Sequence, residues 1–393
     1  MLPINSKQRS RILQVTRNLP PLVGGMERLN WHIADQLSHD ACVHVVGPDG
    51  AAALGPSRVV VSEVPLRPLW RFLLESAWLA LNIARRIRPE IVLAGSGLTA
   101  PAALLAARAV GARACVYLHG LDVAVQHPVY RLLWHPAIRR MDCVIVNSRL
   151  TATLAISLGI VPRKLTVVPP GVTLPTAPQG DEALQAFRIR HGLGTARLLL
   201  SIGRLTSRKG LREFVQNSLP AIVRQAPDTK LVIIGEAPED ALHAGIQSRE
   251  SIKAAADAAG VGAHLRFLGV ITDPQQLACA YESATVHVFP VRHLRGDPEG
   301  FGMVAVEAAA HGLPTVAFAT GGITDAVGSG LSGCLVSPGD YAALADAVAL
   351  VLAAGKDRWK GRATCFAAGF AWPLFGEKLR AALKKVPVSG ERM

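Results

Sequence analysis

The sequence predicts an α/β protein of two domains, each a parallel sheet covered by helices on both faces. Three observations predict it. Short Val/Ile/Leu runs alternate with helical periodicities along nearly the whole chain, the pattern of linked strand–helix–strand units. The alternation stops at residues 173–180, a segment with two prolines, and then restarts. The 393 residues, half of them hydrophobic, exceed one comfortable core and suit two domains of ordinary size. The expected boundaries give residues 1–175 to the first domain, 176–360 to the second and 361–393 to a terminal helical segment.

In the first domain, residues 11–16 form a first strand, because they are a short aliphatic run. Pro20, Pro21, Gly24 and Gly25 mark a loop, and residues 27–37 follow with the spacing of an amphipathic helix. Residues 41–46 are the next strand, and Leu69–Ile87 is a helical stretch. Residues 91–93 and 114–118 are buried strands separated by an Ala-rich helix over 101–110. Residues 141–147 are a strand and 151–158 a short helix.

After the proline segment, residues 196–203 are a strand ending in glycine and 211–224 a helix. Thr229–Ile234 is a strand ending at Gly235, 248–259 a helix and Leu265–Phe267 a strand. A helix over 274–281, a strand over 284–289 and a helix over 303–311 come next. Residues 315–317 and Gly333–Val336 are strands, and 341–353 a helix. Residues 358–383 read as helical and carry Trp359, Phe366, Trp372 and Phe375, as expected of a terminal segment that crosses back to brace the first domain.

Composition excludes several classes. A high apolar fraction with no long polar tract argues against disorder. The cysteines Cys42, Cys115, Cys143, Cys279, Cys334 and Cys365 form no Cys-x-x-Cys pair, so neither a zinc knuckle nor a redox pair is expected. Most lie in apolar runs and read as small buried hydrophobes in a reducing cytosol. Residues 1–11 are short and polar, and no apolar core of signal-peptide kind follows them, so no signal peptide is expected. Arg71, Glu75, Arg85 and Arg86 interrupt Leu69–Ile87, whereas a membrane span needs roughly 20 largely uncharged residues.

The net charge of +13 is uneven: residues 1–175 hold 19 Lys/Arg against 9 Asp/Glu. A basic half beside a near-neutral half implies an anionic partner for the first domain. No zinc-finger spacing or RNA-binding aromatic motif accompanies the charge, so nucleic acid is not the expected partner. An anionic membrane surface or a phosphate-bearing acceptor fits better.

Five loops fall at the carboxyl ends of expected strands, where open α/β folds bind ligands. Gly24 and Gly25 precede a helix and offer backbone amides to an anion. The loop does not match the dinucleotide fingerprint Gly-x-Gly-x-x-Gly, which disfavours NAD or FAD. Gly203 opens a run with Arg204, Arg208 and Lys209, three cations that a pyrophosphate would pair. Glu299, Gly300, Phe301, Gly302 and Met303 lead into a helix bearing Glu307, which sets two carboxylates eight residues apart. Gly321 and Gly322, and His119 with Asp122, complete the set. Alone, each fits an ordinary turn, a solvated loop or a structural histidine; five together over both domains point to a site.

This combination resembles the family 4 glycosyltransferases over nearly the full length of the chain. The matching elements are Gly24-Gly25-Met26-Glu27, His119-Gly120, Val168-Pro169-Pro170-Gly171-Val172, Gly203-Arg204-Leu205, Lys209-Gly210, Glu299-Gly300-Phe301-Gly302 with Glu307, and Gly321-Gly322. The resemblance implies the GT-B fold, two Rossmann-like αβα domains facing across a cleft. It implies a retaining hexosyltransferase with a GDP- or UDP-linked sugar as co-substrate and no bound cofactor. Gly24 and Gly25 would lie beneath the donor pyrophosphate, with Arg204 and Lys209 neutralising its phosphates beside Gly203. Glu299 would hold donor-sugar hydroxyls. The amides around Phe301, Gly302 and Met303 would contact sugar or phosphate. Glu307 would bind the ribose, and His119 would sit at the anomeric centre, with Asp122 a candidate acceptor contact.

No Asp-x-Asp sequence occurs, so the resemblance is to members that work without a metal. The chain departs from the common pattern with Thr173 where many members have aspartate and Pro170 where they have asparagine. The Pro-Pro-Gly form resembles relatives that carry mannose from GDP-mannose to lipid acceptors. The expected acceptor is therefore lipid-linked or a saccharide, in bacterial envelope or exopolysaccharide synthesis. The expected place is the cytoplasm, peripheral on the inner face of the membrane. A sugar-nucleotide epimerase or hydrolase of the same plan, or a noncatalytic sugar-nucleotide binder, is the alternative.

Overall fold

Strands β1 (Ser10–Val15), β2 (Ala41–Pro48), β3 (Val59–Val64), β4 (Ile91–Ala94), β5 (Arg113–Leu118), β6 (Cys143–Val146) and β7 (Leu165–Val167) build the first sheet. The structure is a computed structural model that describes residues 9–237 and 245–385. The seven strands run parallel in the order β3-β2-β1-β4-β5-β6-β7. The central strands read as continuous apolar runs because helices bury both their faces: Val92, Leu93, Val116, Tyr117, Val144 and Ile145 are all fully buried. Burying a side chain of this size contributes about 1.5–3 kcal/mol.

Helices Leu69–Ile87, Ala100–Val110, Pro128–Arg139 and Arg149–Ser157 contribute to the core over one face. On the other face, helix Gly25–Ser38 packs with Trp372–Lys384. Trp372 stacks on His32 with centroids 3.7 Å apart, and Arg380 donates to the Gln36 carbonyl at 2.8 Å. Burial, aided by Arg28, pushes the His32 imidazole down to about 3, so it packs as a neutral ring.

The second unit, Val172–Ala371, repeats the architecture without repeating the sequence. Its strands are β8 (Arg197–Ile202), β9 (Thr229–Ile234), β10 (Leu265–Phe267), β11 (Val286–Phe289), β12 (Thr315–Phe318) and β13 (Gly333–Val336). They run parallel in the order β10-β9-β8-β11-β12-β13.

Several elements differ from the sequence reading, each for a local reason. Strands β3 and β7 are additions: both lie at sheet edges, and neither shows a run of buried residues. Helix Pro128–Arg139 is also new, hidden in the sequence because Pro136 lies inside it, a residue that ordinarily breaks a helix. Helix Asp181–Arg190 buries only Phe187 and carries little apolar periodicity. The expected helix 211–224 is two, Leu211–Asn217 and Leu219–Gln225, parted at Ser218 just before Pro220.

The terminal segment is also two helices, Asp357–Ala368 and Trp372–Lys384. Between them, the Phe370 carbonyl accepts a hydrogen bond from the Val172 amide at 2.7 Å, and Ala371 bridges Val172. The chain passes from unit to unit at Gly171/Val172 and Ala371/Trp372, instead of after 175 and 360, and Asp357–Ala368 stays in the second unit. Gly171 permits this crossing, since a Cβ there would overlap the Trp372 ring. All six cysteines are free thiols; Cys42 and Cys365 are exposed instead of packed. Among the described residues, no helix is long and apolar enough to cross a membrane.

Candidate active site

In each sheet the strand order reverses once, between β1 and β4 and between β8 and β11. At such a switch point the loops leaving two adjacent strands diverge, and the carboxyl edge is open to a ligand. The sequence-predicted residues fall at these two edges.

In the second unit, β8 is followed by Gly203, whose φ of 143° only glycine adopts freely. Gly235 packs on its backbone, close enough that a side chain on Gly235 would overlap the Gly203 peptide. The chain then makes a short turn, Ser207–Lys209, and Gly210 (φ 68°) starts the next helix. This turn delivers Lys209 to the loop after β11. Lys209 Nζ lies 2.9 Å from Glu299 Oε2 and 4.6 Å from the centroid of the Phe289 ring. Arg208 reaches the same carboxylate at 3.1 Å, and also Asp297 at 2.6 Å. Arg204 is exposed beside them and makes no ion pair among the described residues.

The electrostatics follow from burial and neighbours. Burial lowers the Lys209 ammonium below its ordinary range; Glu299 pulls the other way without overcoming it. Burial works to raise the Glu299 carboxyl, but Lys209, Arg208 and Arg204 together hold it below its ordinary value. The site is thus a half-buried group of three cations around one or two carboxylates, with cationic charge in excess.

Glu299 is held from behind by the glycine loop after β12. The Gly322 amide donates to the Glu299 carbonyl at 2.9 Å, and a Cβ on Gly322 would come within 2.8 Å of Phe301 Cα. Phe301 is a core residue, 3% exposed, so its ring packs with the interior and is not offered to a ligand. Gly302 (φ 96°) opens helix Met303–Ala310, with Met303 first in the helix and packed partly on the core. Glu307, on this helix, accepts from the Tyr281 hydroxyl at 2.9 Å.

In the first unit, Gly24 and Gly25 are exposed at the start of helix Gly25–Ser38. Gly24 is extended (φ 164°), and a side chain there would collide with Glu27. His119 follows β5, is 8% exposed, and lies 2.8 Å through Nε2 from the Gly95 carbonyl. A carbonyl can only accept, so Nε2 carries the proton. The Asp122 carboxylate accepts the His119 amide at 2.9 Å through Oδ2, across the turn at Gly120.

The pattern described as "Glycosyltransferase Family 4" matches residues 23–174, and that described as "Glycosyl transferases group 1" matches 185–363. A GDP-mannose-dependent alpha-(1-6)-phosphatidylinositol monomannoside mannosyltransferase of Mycolicibacterium smegmatis is 31% identical over 356 residues, covering 87% of this chain and 89% of that one. The chain is a family 4 glycosyltransferase. It is an enzyme that transfers a sugar from a nucleotide-sugar donor to an acceptor. Its fold is shared with the Anabaena protein Alr3699/HepE in complex with UDP-glucose, at a TM-score of 0.77 and 19% identity over 96% of this chain and 100% of that one. It is shared also with WaaG, a glycosyltransferase involved in lipopolysaccharide biosynthesis, at 0.68 and 18% over 97% and 100%.

Within the transferase, the structure brings Gly203, Arg204, Lys209, Glu299, Phe301, Gly302, Met303 and the Gly321-Gly322 loop to one edge of the second sheet. Gly24, Gly25 and His119 belong to the first. Among the described residues, no three His, Cys, Asp or Glu side chains gather as metal ligands.

Sequence reasoning misses the residues that hold this set in place. Arg208 reads there only as one of three cations, yet it ties Asp297 and Glu299 together. Gly95 follows β4 at the switch point and accepts from both His119 Nε2 and Asn30 Nδ2, the latter at 3.2 Å. The Gly95-Ser96-Gly97 pattern after a strand is the signal that could have found it. Tyr281 gives none, because one aromatic on a helix reads as core.

Proposed function

We propose that the transferase moves a mannosyl group from GDP-mannose to a lipid-linked acceptor with retention of configuration, without a metal ion. The observation that carries this reading is the cluster of Arg204, Arg208 and Lys209 around Glu299. Cations preorganised at a half-buried edge suit a leaving diphosphate, since stabilisation of developing charge often contributes most to catalysis. The choice of mannose and of a lipid acceptor is supported by the activity of the mycolicibacterial relative and by Pro169-Pro170-Gly171.

In this reading the bond from the anomeric carbon to the diphosphate oxygen breaks and the acceptor oxygen bonds to the same face. The acceptor's proton passes to the departing phosphate oxygen. Arg204 and Lys209 take up the charge left on the diphosphate. Glu299 holds donor-sugar hydroxyls, and amides near Gly302 and Met303 meet sugar or phosphate. Gly203 clears room beside the phosphates, and Glu307 binds the ribose. Gly24 and Gly25 lie beneath the pyrophosphate, and His119 holds the sugar near its anomeric carbon. The enzyme works at the cytoplasmic face of the inner membrane, held there by anionic lipid.

The test is incubation with GDP-mannose, UDP-glucose, UDP-galactose and ADP-glucose, each with and without bacterial lipid extract and with or without EDTA. Mannosylated lipid formed only with extract, and unaffected by EDTA, is the expected result. An epimerised sugar, or nucleotide release independent of acceptor, would overturn the transfer to lipid. Loss of activity in EDTA with recovery on adding Mn²⁺ would overturn the metal-free assignment.

A further inference from the structure

The ribose carboxylate proposed above does not stand alone. Tyr281 lies on helix Pro274–Ser283, is 2% exposed, and donates its hydroxyl to Glu307 Oε2 at 2.9 Å. Its ring stacks on His311, just past the end of the helix that carries Glu307, with centroids 5.1 Å apart and planes 9° apart. His311 Nδ1 is 2.9 Å from Glu282 Oε1, and the other oxygen of Glu282 accepts from the Gln179 amide at 2.7 Å. A continuous chain of contacts thus runs from the carboxylate of Glu307 into the segment that precedes helix Asp181–Arg190.

We propose that Tyr281 is the positioning residue that presets the Glu307 carboxylate for a vicinal diol, and that it thereby sets the preference for ribose over sugars lacking those hydroxyls. This rests on the reading of Glu307 as the ribose ligand. The reason is conformational. A glutamate has three side-chain torsions, and a half-buried one that must be frozen at each binding event loses affinity. A hydroxyl that fixes one carboxylate oxygen removes most of that search and leaves the group aimed. The stacked His311 keeps the Tyr281 ring from rotating, and Glu282 keeps His311 in place. None of these side chains needs to touch the nucleotide.

Tyr281→Phe tests it, because it removes only the hydroxyl and retains the stacked ring. Calorimetry compares wild type and variant against GDP and UDP, and against their 2′,3′-dideoxy forms. Wild type should prefer the ribonucleotide, and Tyr281→Phe should lose about tenfold in affinity for it. Affinity for the dideoxy form should be unchanged, which also shows that the variant is folded. A variant that weakens for both forms alike has suffered a general structural loss, and that result overturns the proposal. So does a variant that keeps the full wild-type preference. If wild type itself does not distinguish the two forms, Glu307 does not bind ribose, and both readings fall together.

Discussion

Lys209 Nζ sits 2.9 Å from Glu299 Oε2, and each group favours the charged form of the other against the burial of both. Burial lowers Lys209, and the carboxylate is the chief force opposing that shift. A deprotonated Lys209 cannot neutralise a phosphate, so nucleoside diphosphate affinity should fall as pH rises through the lowered value. In Glu299→Gln the opposing charge is gone, and the fall should begin at lower pH. Calorimetry across an alkaline pH series checks this; superimposable profiles for the two proteins would show that the pair is not coupled.

The same pair predicts acid sensitivity. Glu299 is held below its ordinary 4.5, so as pH falls the unfolded chain takes up the proton first. Its stabilisation is present above the unfolded value and is lost as pH drops through the folded one. Wild-type Tm should therefore fall more steeply than that of Glu299→Gln between roughly pH 5 and 3. Parallel melting curves against pH would contradict the assignment.

Arg204 and Arg208 should separate by phenotype. Arg208 bridges Asp297 and Glu299, so Arg208→Ala should lower both Tm and transfer rate. Arg204 is exposed and makes no ion pair among the described residues, so Arg204→Ala should leave stability within about 0.5 kcal/mol of wild type. Its transfer rate should still fall on the order of 10²-fold, the loss typical of one transition-state charge contact. Matching losses of Tm in both variants would remove the distinction.

That distinction could not be read from the chain. Gly203, Arg204 and Lys209 were legible because a βα turn that meets phosphate needs glycine and cations within a few residues. The pairing of Arg208 with Asp297 joins positions 89 apart, and nothing local marks it. The same holds for the Gly95 carbonyl, which collects His119 and Asn30 from two other segments. The helices and inner strands were visible where burial enforces a period. Edge strand β7 and the Pro136 helix were not, because there tertiary packing overrides local preference.

Gly322→Ala should inactivate without touching any ligand. Its Cβ would lie 2.8 Å from Phe301 Cα and overlap the Gly300 carbonyl, so the Glu299–Phe301 backbone must shift. Shifts of about 1 Å at a catalytic group can cost on the order of 10²-fold. The expected outcome is a folded protein, by circular dichroism, with transfer reduced to that degree; a fully active Gly322→Ala would mean that Glu299 tolerates displacement.

The membrane association proposed above should depend on three exposed side chains of the first unit. On helix Leu69–Ile87, Trp70, Leu74 and Trp78 are 64%, 65% and 67% exposed, at spacings of four that place them on one face. The opposite side of that helix buries Phe72, Ser76, Ala80, Ile83 and Ala84, so its packing on the sheet needs none of the three. Helix Ala100–Val110 packs beside it and in turn contacts Pro128–Arg139, which exposes Val129, Leu132 and Leu133. Apolar side chains this exposed, on a unit that also exposes Arg85, Arg86 and Arg131, suit a surface that enters the headgroup layer with arginines against lipid phosphate. Arg71 contributes less, because Glu75 pairs it at 2.5 Å. The decisive variant therefore replaces Trp70, Leu74 and Trp78 with serine, leaving the charges in place. Wild type should float with anionic liposomes at low salt and less so at high salt, since each arginine adds about 1 kcal/mol at such a surface. The triple variant should remain with the unbound protein while keeping its Tm, because none of the three side chains belongs to the core. Equal flotation of both proteins would assign binding to charge alone, and failure of both would direct the search to a saccharide acceptor away from the bilayer.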